Sequence, residues 1–100
     1  MGDTEVVKLR SVLDVAAVLG AKERVMDIPE DDTVRGLLMA LCAGYGERLS
    51  ALILQCQDPL ELAPNVKVYV NGRGAVFLDG LDTVLHDGDD VLIMPQVSGG

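Results

Sequence analysis

The segment Val91-Leu92-Ile93-Met94, closed by Pro95, constrains the fold more than any other stretch of this chain. It is an almost unbroken apolar run, too short for a helix and preceded by the tight-turn sequence Asp87-Gly88-Asp89. A strand that is apolar on both faces belongs in the middle of a sheet, where both faces are covered. A second strand is expected at Val66, Val68 and Val70, which alternate with Lys67, Tyr69 and Asn71. It runs into Asn71-Gly72, a hairpin dipeptide because both positions tolerate positive φ, and Ala75 to Leu78 is expected as the return strand.

The first half supplies the rest of the sheet and its cover. Val6 to Val12 alternates as a half-buried strand does, and Glu23 to Ile28, ended by Pro29, reads as a second. Their closeness predicts an antiparallel pair, with a turn of helix over Leu13 to Leu19 stopped by Gly20. The acidic run Glu30-Asp31-Asp32 leads to Thr33, and Asp32 or Thr33 is a good N-cap whose surroundings complement the helix dipole. Val34, Leu37, Leu38, Leu41 and Tyr45 follow at helical spacing, and Gly44 and Gly46 end the helix. Ala51 to Gln55 fits helix and strand equally, and Asp58-Pro59 and Ala63-Pro64 bracket a loop. Four or five strands cradling one principal helix is an α+β layout.

Composition narrows the functions. One hundred residues make one domain, with 49% apolar residues and three aromatics, so the core is aliphatic. No apolar run reaches the roughly 18 residues that cross a bilayer, and the acidic start Met1-Gly2-Asp3-Thr4-Glu5 is unlike a signal peptide. A cytoplasmic address is expected. The net charge of −8 argues against a nucleic-acid partner and against acidic membranes, because both need clustered Lys and Arg. It favours a basic protein partner, or serves solubility alone. Cys42 and Cys56 are too few for a zinc or iron–sulfur site and are expected as buried, reduced thiols. His86 is the single histidine and has no partner pattern for catalysis. Gly72-Arg73-Gly74 lacks the third glycine of a dinucleotide loop, since position 77 is Phe77. Asp87, Asp89 and Asp90 lack a calcium loop's later glycine and glutamate. No metal site and no bound cofactor are expected.

The chain ends in Gly99-Gly100. A terminal carboxylate is ionised at neutral pH and is a poor electrophile, so an enzyme that activates it must draw it into a phosphate-binding pocket. Two glycines let the backbone pass a narrow tunnel with no Cβ in the way. The apolar strand ends at Pro95, five residues before Gly100. A domain over 1–95 would thus carry a flexible tail over 96–100 like a probe.

Three segments carry a family resemblance: Val68-Tyr69-Val70-Asn71-Gly72-Arg73, Leu85-His86-Asp87-Gly88-Asp89-Asp90-Val91, and Met94-Pro95-Gln96-Val97-Ser98-Gly99-Gly100. Over roughly residues 66–100 the chain resembles the MoaD/ThiS sulfur carriers, most of all the small subunit of molybdopterin synthase. The resemblance implies a β-grasp, ubiquitin-like fold with a mixed sheet. It implies that an E1-like, MoeB-type enzyme uses ATP to adenylate Gly100, after which sulfur replaces AMP to give a thiocarboxylate. A MoaE-type large subunit would then receive the tail and build the dithiolene of molybdopterin, with catalysis residing in the partners. Contact is expected through Gly99 and Gly100, through Pro95, Val97 and Ser98, and through Leu78 and Met94 on an exposed sheet face near the tail. Arg73 is expected as a solvated hairpin charge. Met94 and Gln96 depart from the aromatic and second proline of many relatives, and the chain is longer than compact members around residues 56–65. The alternatives are a ubiquitin-like protein modifier, or a carrier serving thiamine, cysteine or tRNA thiolation. A ferredoxin on the same fold fails for want of four cysteines.

Overall fold

The computed structural model describes residues 4–95. In chain order these form β1 (Thr4–Ser11), α1 (Leu13–Leu19), β2 (Glu23–Pro29), α2 (Val34–Tyr45), α3 (Glu47–Ile53), β3 (Leu54–Gln57), β4 (Leu60–Leu62), β5 (Val66–Val70), β6 (Arg73–Gly74) and β7 (Asp90–Pro95), with short 3₁₀ turns at Ala75–Phe77 and Gly80–Asp82. The main sheet has the order β2-β1-β7-β5-β6, and β3 and β4 make a separate hairpin. The apolar run is indeed central. β7 lies parallel to β1, from Lys8 opposite Asp90 to Ser11 opposite Ile93, and antiparallel to β5, from Val70 opposite Val91 to Val66 opposite Pro95. The β1–β2 pair is antiparallel as expected, and the mixed sheet crossed by helices is the β-grasp arrangement.

The core is aliphatic and sits between one sheet face and the helices. Val7 and Leu9 of β1, Val91 and Ile93 of β7, and Val66, Val68 and Val70 of β5 all point into it. Leu37, Leu38 and Leu41 of α2 and Leu49 and Ile53 of α3 close it from above. α2 begins where the sequence places it. Thr33 is the N-cap, its hydroxyl accepting from the Gly36 N–H at 3.2 Å, and Asp32 Oδ1 accepts from the Thr33 N–H at 2.9 Å. Gly44 lies inside the helix, whereas Gly46, at φ 75°, ends it and starts α3 directly.

Two expectations are corrected and one ambiguity is resolved. Ala75 to Leu78 is no strand: the hairpin after Asn71-Gly72 pairs only at Arg73 and Gly74, then winds into a 3₁₀ turn. The segment between Asp58-Pro59 and Ala63-Pro64 is no loop, because Leu60–Leu62 forms β4 against β3. The ambiguous Ala51–Gln55 is both things, helix to Ile53 and strand from Leu54. At the entrance to β7 the turns interlock. Asn71, at φ 52°, donates from Nδ2 to Asp89 Oδ1 at 2.9 Å and accepts at Oδ1 from the Asp90 N–H at 2.9 Å. Asp87 Oδ1 accepts from the Val6 N–H at 2.8 Å. Truncating the fully buried central side chain, Ile93→Ala, should lower stability by about 2–5 kcal/mol, read as a shift in the urea midpoint with the slope unchanged.

Candidate functional site

β7 delivers the chain to its end, so the surface around Pro95 is the candidate site. Side chains on β7 alternate: Val91 and Ile93 are wholly buried, while Leu92 and Met94 are half-buried on the opposite, open face of the sheet. On β5 the same face carries Lys67 opposite Met94 and Tyr69 opposite Leu92. On β1 it carries Lys8 and Arg10, Arg10 lying beside Leu92. Three of the eight cations of an acidic chain thus share one face with two apolar side chains. Arg10 Nε donates to Asp90 Oδ1 at 2.8 Å and Lys8 Nζ lies 3.4 Å from Glu23 Oε1. Both pairs are solvated, so each contributes well under about 1 kcal/mol and leaves the cations available to a partner.

The edge of this face is more apolar than the sequence showed. Val76 and Phe77 are 76% and 86% exposed. A Cβ placed at Gly74 would lie 3.3 Å from Phe77 Cδ2 and 3.8 Å from Tyr69 Cε1, so the Phe77 ring stands close over the backbone at Gly74, near Tyr69. Beside them a groove of about 520 Å³ is walled by Leu62, Ala63, Pro64, Val66, Val76 and Leu81. Its wall at Leu62–Pro64 comes from the end of β4 and the link to β5. Exposed apolar patches of this kind mark interaction surfaces. The sequence did not signal this edge: Ala75 to Leu78 reads as a return strand, yet pairing with β5 stops at Gly74 and leaves Val76 and Phe77 exposed.

The structure separates the sequence-derived residues. Met94 and Pro95 lie together at the end of β7, both half-buried. Leu78 stands apart from them, just after the 3₁₀ turn and packed against the core, not on an exposed strand. Arg73 is exposed beside the hairpin turn. Val97, Ser98, Gly99 and Gly100 lie outside the described residues, as does the 96–100 tail as a whole. His86 is exposed, its backbone N–H donating to Asp89 Oδ2 at 2.8 Å. Cys42 and Cys56 are free and half-buried rather than buried, because Cys42 sits at the margin of α2 and Cys56 on the short β3. Among the described residues no group of three or more His, Cys, Asp or Glu is gathered as a metal site requires, and no helix is long and apolar enough to cross a membrane.

Comparison with known proteins agrees with this layout. The chain is 38% identical over 93 residues to small archaeal modifier protein 3 of Haloferax volcanii, covering 93% of this chain and 97% of that protein. It is 36% identical over 69 residues to sulfur carrier protein CysO of Mycobacterium tuberculosis, covering 69% of this chain and 73% of that one. A structure from Pyrococcus furiosus named molybdopterin converting factor subunit 1 superposes with a TM-score of 0.71 at 25% identity, covering 93% and 99% of the two chains. The fold and these likenesses define a ubiquitin-like protein of the sulfur-carrier class. Residues 10–100 match the ThiS family, and the chain belongs to it.

Burial pushes the Cys42 thiol above its ordinary pKa. The thiolate is the nucleophile, so Cys42 should be alkylated by iodoacetamide at pH 8 more slowly in the folded chain than in the urea-unfolded chain, followed by peptide mass spectrometry. Equal rates would show the site to be open.

Proposed function

We propose that this chain is a sulfur carrier acting through Gly100, as the small subunit of a molybdopterin synthase. One carboxylate oxygen of Gly100 attacks the α-phosphorus of ATP in an E1-like, MoeB-type enzyme, releasing pyrophosphate and leaving an acyl-adenylate. Hydrosulfide then adds to the acyl carbon and the C–O bond to AMP breaks, so that AMP leaves and the product is a thiocarboxylate. The carboxylate could not undergo this exchange directly, because it has no leaving group. ATP is therefore the partner's cosubstrate, no cofactor is held by the carrier, and the site of action is cytoplasmic. Neither nucleic acid nor membrane takes part.

The observation that carries this reading is the placement of β7. A strand fixed between β1 and β5 ends at Pro95, five residues before Gly100, so the domain is a rigid handle for a short segment whose last two residues have no side chain. Met94 and Pro95 at the root, Lys67, Arg10 and Leu92 on the open face, and Phe77 at its edge form the surface offered to a MoaE-type large subunit, with Val97, Ser98, Gly99 and Gly100 entering its active site. Leu78 acts from behind, supporting the Ala75–Phe77 turn. The likeness to the Pyrococcus furiosus protein supports the molybdopterin destination.

A second reading has its own support, since the likeness to a small archaeal modifier protein extends along 97% of that protein. In it Gly100 becomes linked to lysines of target proteins, and carriage of sulfur to thiamine, cysteine or tRNA shares the same activation step. Intact mass spectrometry of the chain from its own cells separates these. Exchange of one oxygen for one sulfur at Gly100 is the expected result, and lysine-linked conjugates with an unmodified free chain would favour the modifier reading. Deleting Gly100 should abolish thiocarboxylate formation and leave the thermal unfolding midpoint unchanged; cofactor synthesis supported by the deleted chain would exclude both readings.

A further inference from the structure

Among the described residues three that are not glycine have positive φ: Leu13 at 56°, Asp31 at 62° and Asn71 at 52°. Asp31 and Asn71 are ordinary occupants of that region, because a short polar side chain can hydrogen-bond locally there. Leu13 is not. Its Cβ crowds the following carbonyl, and a glycine would take the same conformation without strain.

Nothing in the packing offsets this. Leu13 is 59% exposed and is not among the half-buried apolar side chains that rest on the core. It does not cap the helix it begins, since α1 starts from Val12 with no side-chain cap hydrogen bond. Two unfavourable choices, a strained backbone and a large apolar side chain in water, therefore fall on one residue. Strain of this kind is retained where function uses it.

The position of Leu13 says what the use is. β1 and β7 run parallel, and the last rung of their ladder is Ser11 opposite Ile93. Leu13 and Pro95 each lie two residues beyond that rung, at the same end of the sheet. Val12 is still extended and α1, which Leu13 opens, packs on β7, so Leu13 begins its helix at the end of the sheet from which the tail departs. A tail of Gln96, Val97, Ser98 and two glycines offers an enzyme few side chains to hold, so the grip must come from the folded domain.

We infer that Leu13 is a recognition contact for the adenylating enzyme, covered by an apolar surface of that enzyme while the tail occupies its active site. This rests on the carrier reading above. Leu13 touches neither ATP nor the reacting carboxylate, and its role is to position the domain.

The test uses the full chain and the E1-like enzyme of the same cells, with ATP–pyrophosphate exchange measured as carrier concentration is varied. Leu13→Gly removes both strain and contact, Leu13→Ala removes the contact alone, and Met39→Ala, at a side chain 56% exposed on α2, is the control. The expected result is a melting midpoint for Leu13→Gly at or above that of the parent, with kcat/KM about tenfold lower through a raised KM and kcat unchanged. That factor corresponds to about 1.4 kcal/mol. Leu13→Ala should show the same kinetic loss, and Met39→Ala none. Unaltered kinetics for Leu13→Gly would overturn the inference while leaving the carrier reading intact. Failure of the parent chain to be adenylated at all would overturn the carrier reading, and this inference with it.

Discussion

The insertion of β7 between β1 and β5 is the contact on which the remainder of the molecule depends. Without it β1–β2 and β5–β6 are two separate hairpins, each with an apolar face and an unpaired edge, and neither is stable alone in water. With it they become one sheet, and Val91 and Ile93 complete the floor on which α2 and α3 pack. The strand is fixed at its entrance as well as along its length. Asn71 reaches Asp89 and Asp90 from the β5 turn, and Asp87 takes the Val6 N–H of β1. All of this hydrogen bonding lies at the end of β7 opposite Pro95. The entrance is held by side chains as well as by the ladder, and at the exit the ladder to β5 holds Met94 and Pro95 opposite Lys67 and Val66.

That division explains the charge distribution too. Asp87, Asp89 and Asp90 gather at the entrance, where backbone N–H groups and Asn71 satisfy them, and Asp90 also draws in Arg10. Lys8, Arg10 and Lys67 lie on the open face. A net charge of −8 suits a basic partner or solubility alone, but the surface flanking Leu92 and Met94 is locally mixed. Net charge steers approach over a distance of about 8–10 Å; the face decides what fits at contact.

How much of this the sequence disclosed follows from which interactions are local. The central strand, the Asn71-Gly72 hairpin, the Thr33 cap and the periodic face of α2 were legible because each is specified by neighbours two to four residues away. The 3₁₀ turn at Ala75–Phe77 was not. Ala-Val-Phe-Leu has strand composition, but pairing with β5 stops at Gly74 and the chain winds into a 3₁₀ turn, a choice made by the fold and not by these residues' local preference. β4 was hidden for a similar reason: three residues between two prolines become a strand only because β3 supplies the partner. Of the candidate site, the Gly-Gly end and the Met94–Pro95 root were plain in the sequence. Phe77 and Leu13 were not, because exposure and positive φ are properties of the folded backbone, not of the residue type.

The central strand is also the last in chain order of the described elements. On the ribosome β1 and β5 must wait for it, each with an open edge, and the Arg10–Asp90 contact spans 80 residues of sequence. Pairings so distant close slowly and late. Folding is therefore gated by the appearance of β7: until that strand has emerged there is no completed sheet, and no rigid base from which the residues beyond Pro95 could be presented to an enzyme. A nascent or truncated chain leaves those open edges exposed, the condition under which incompletely folded chains aggregate.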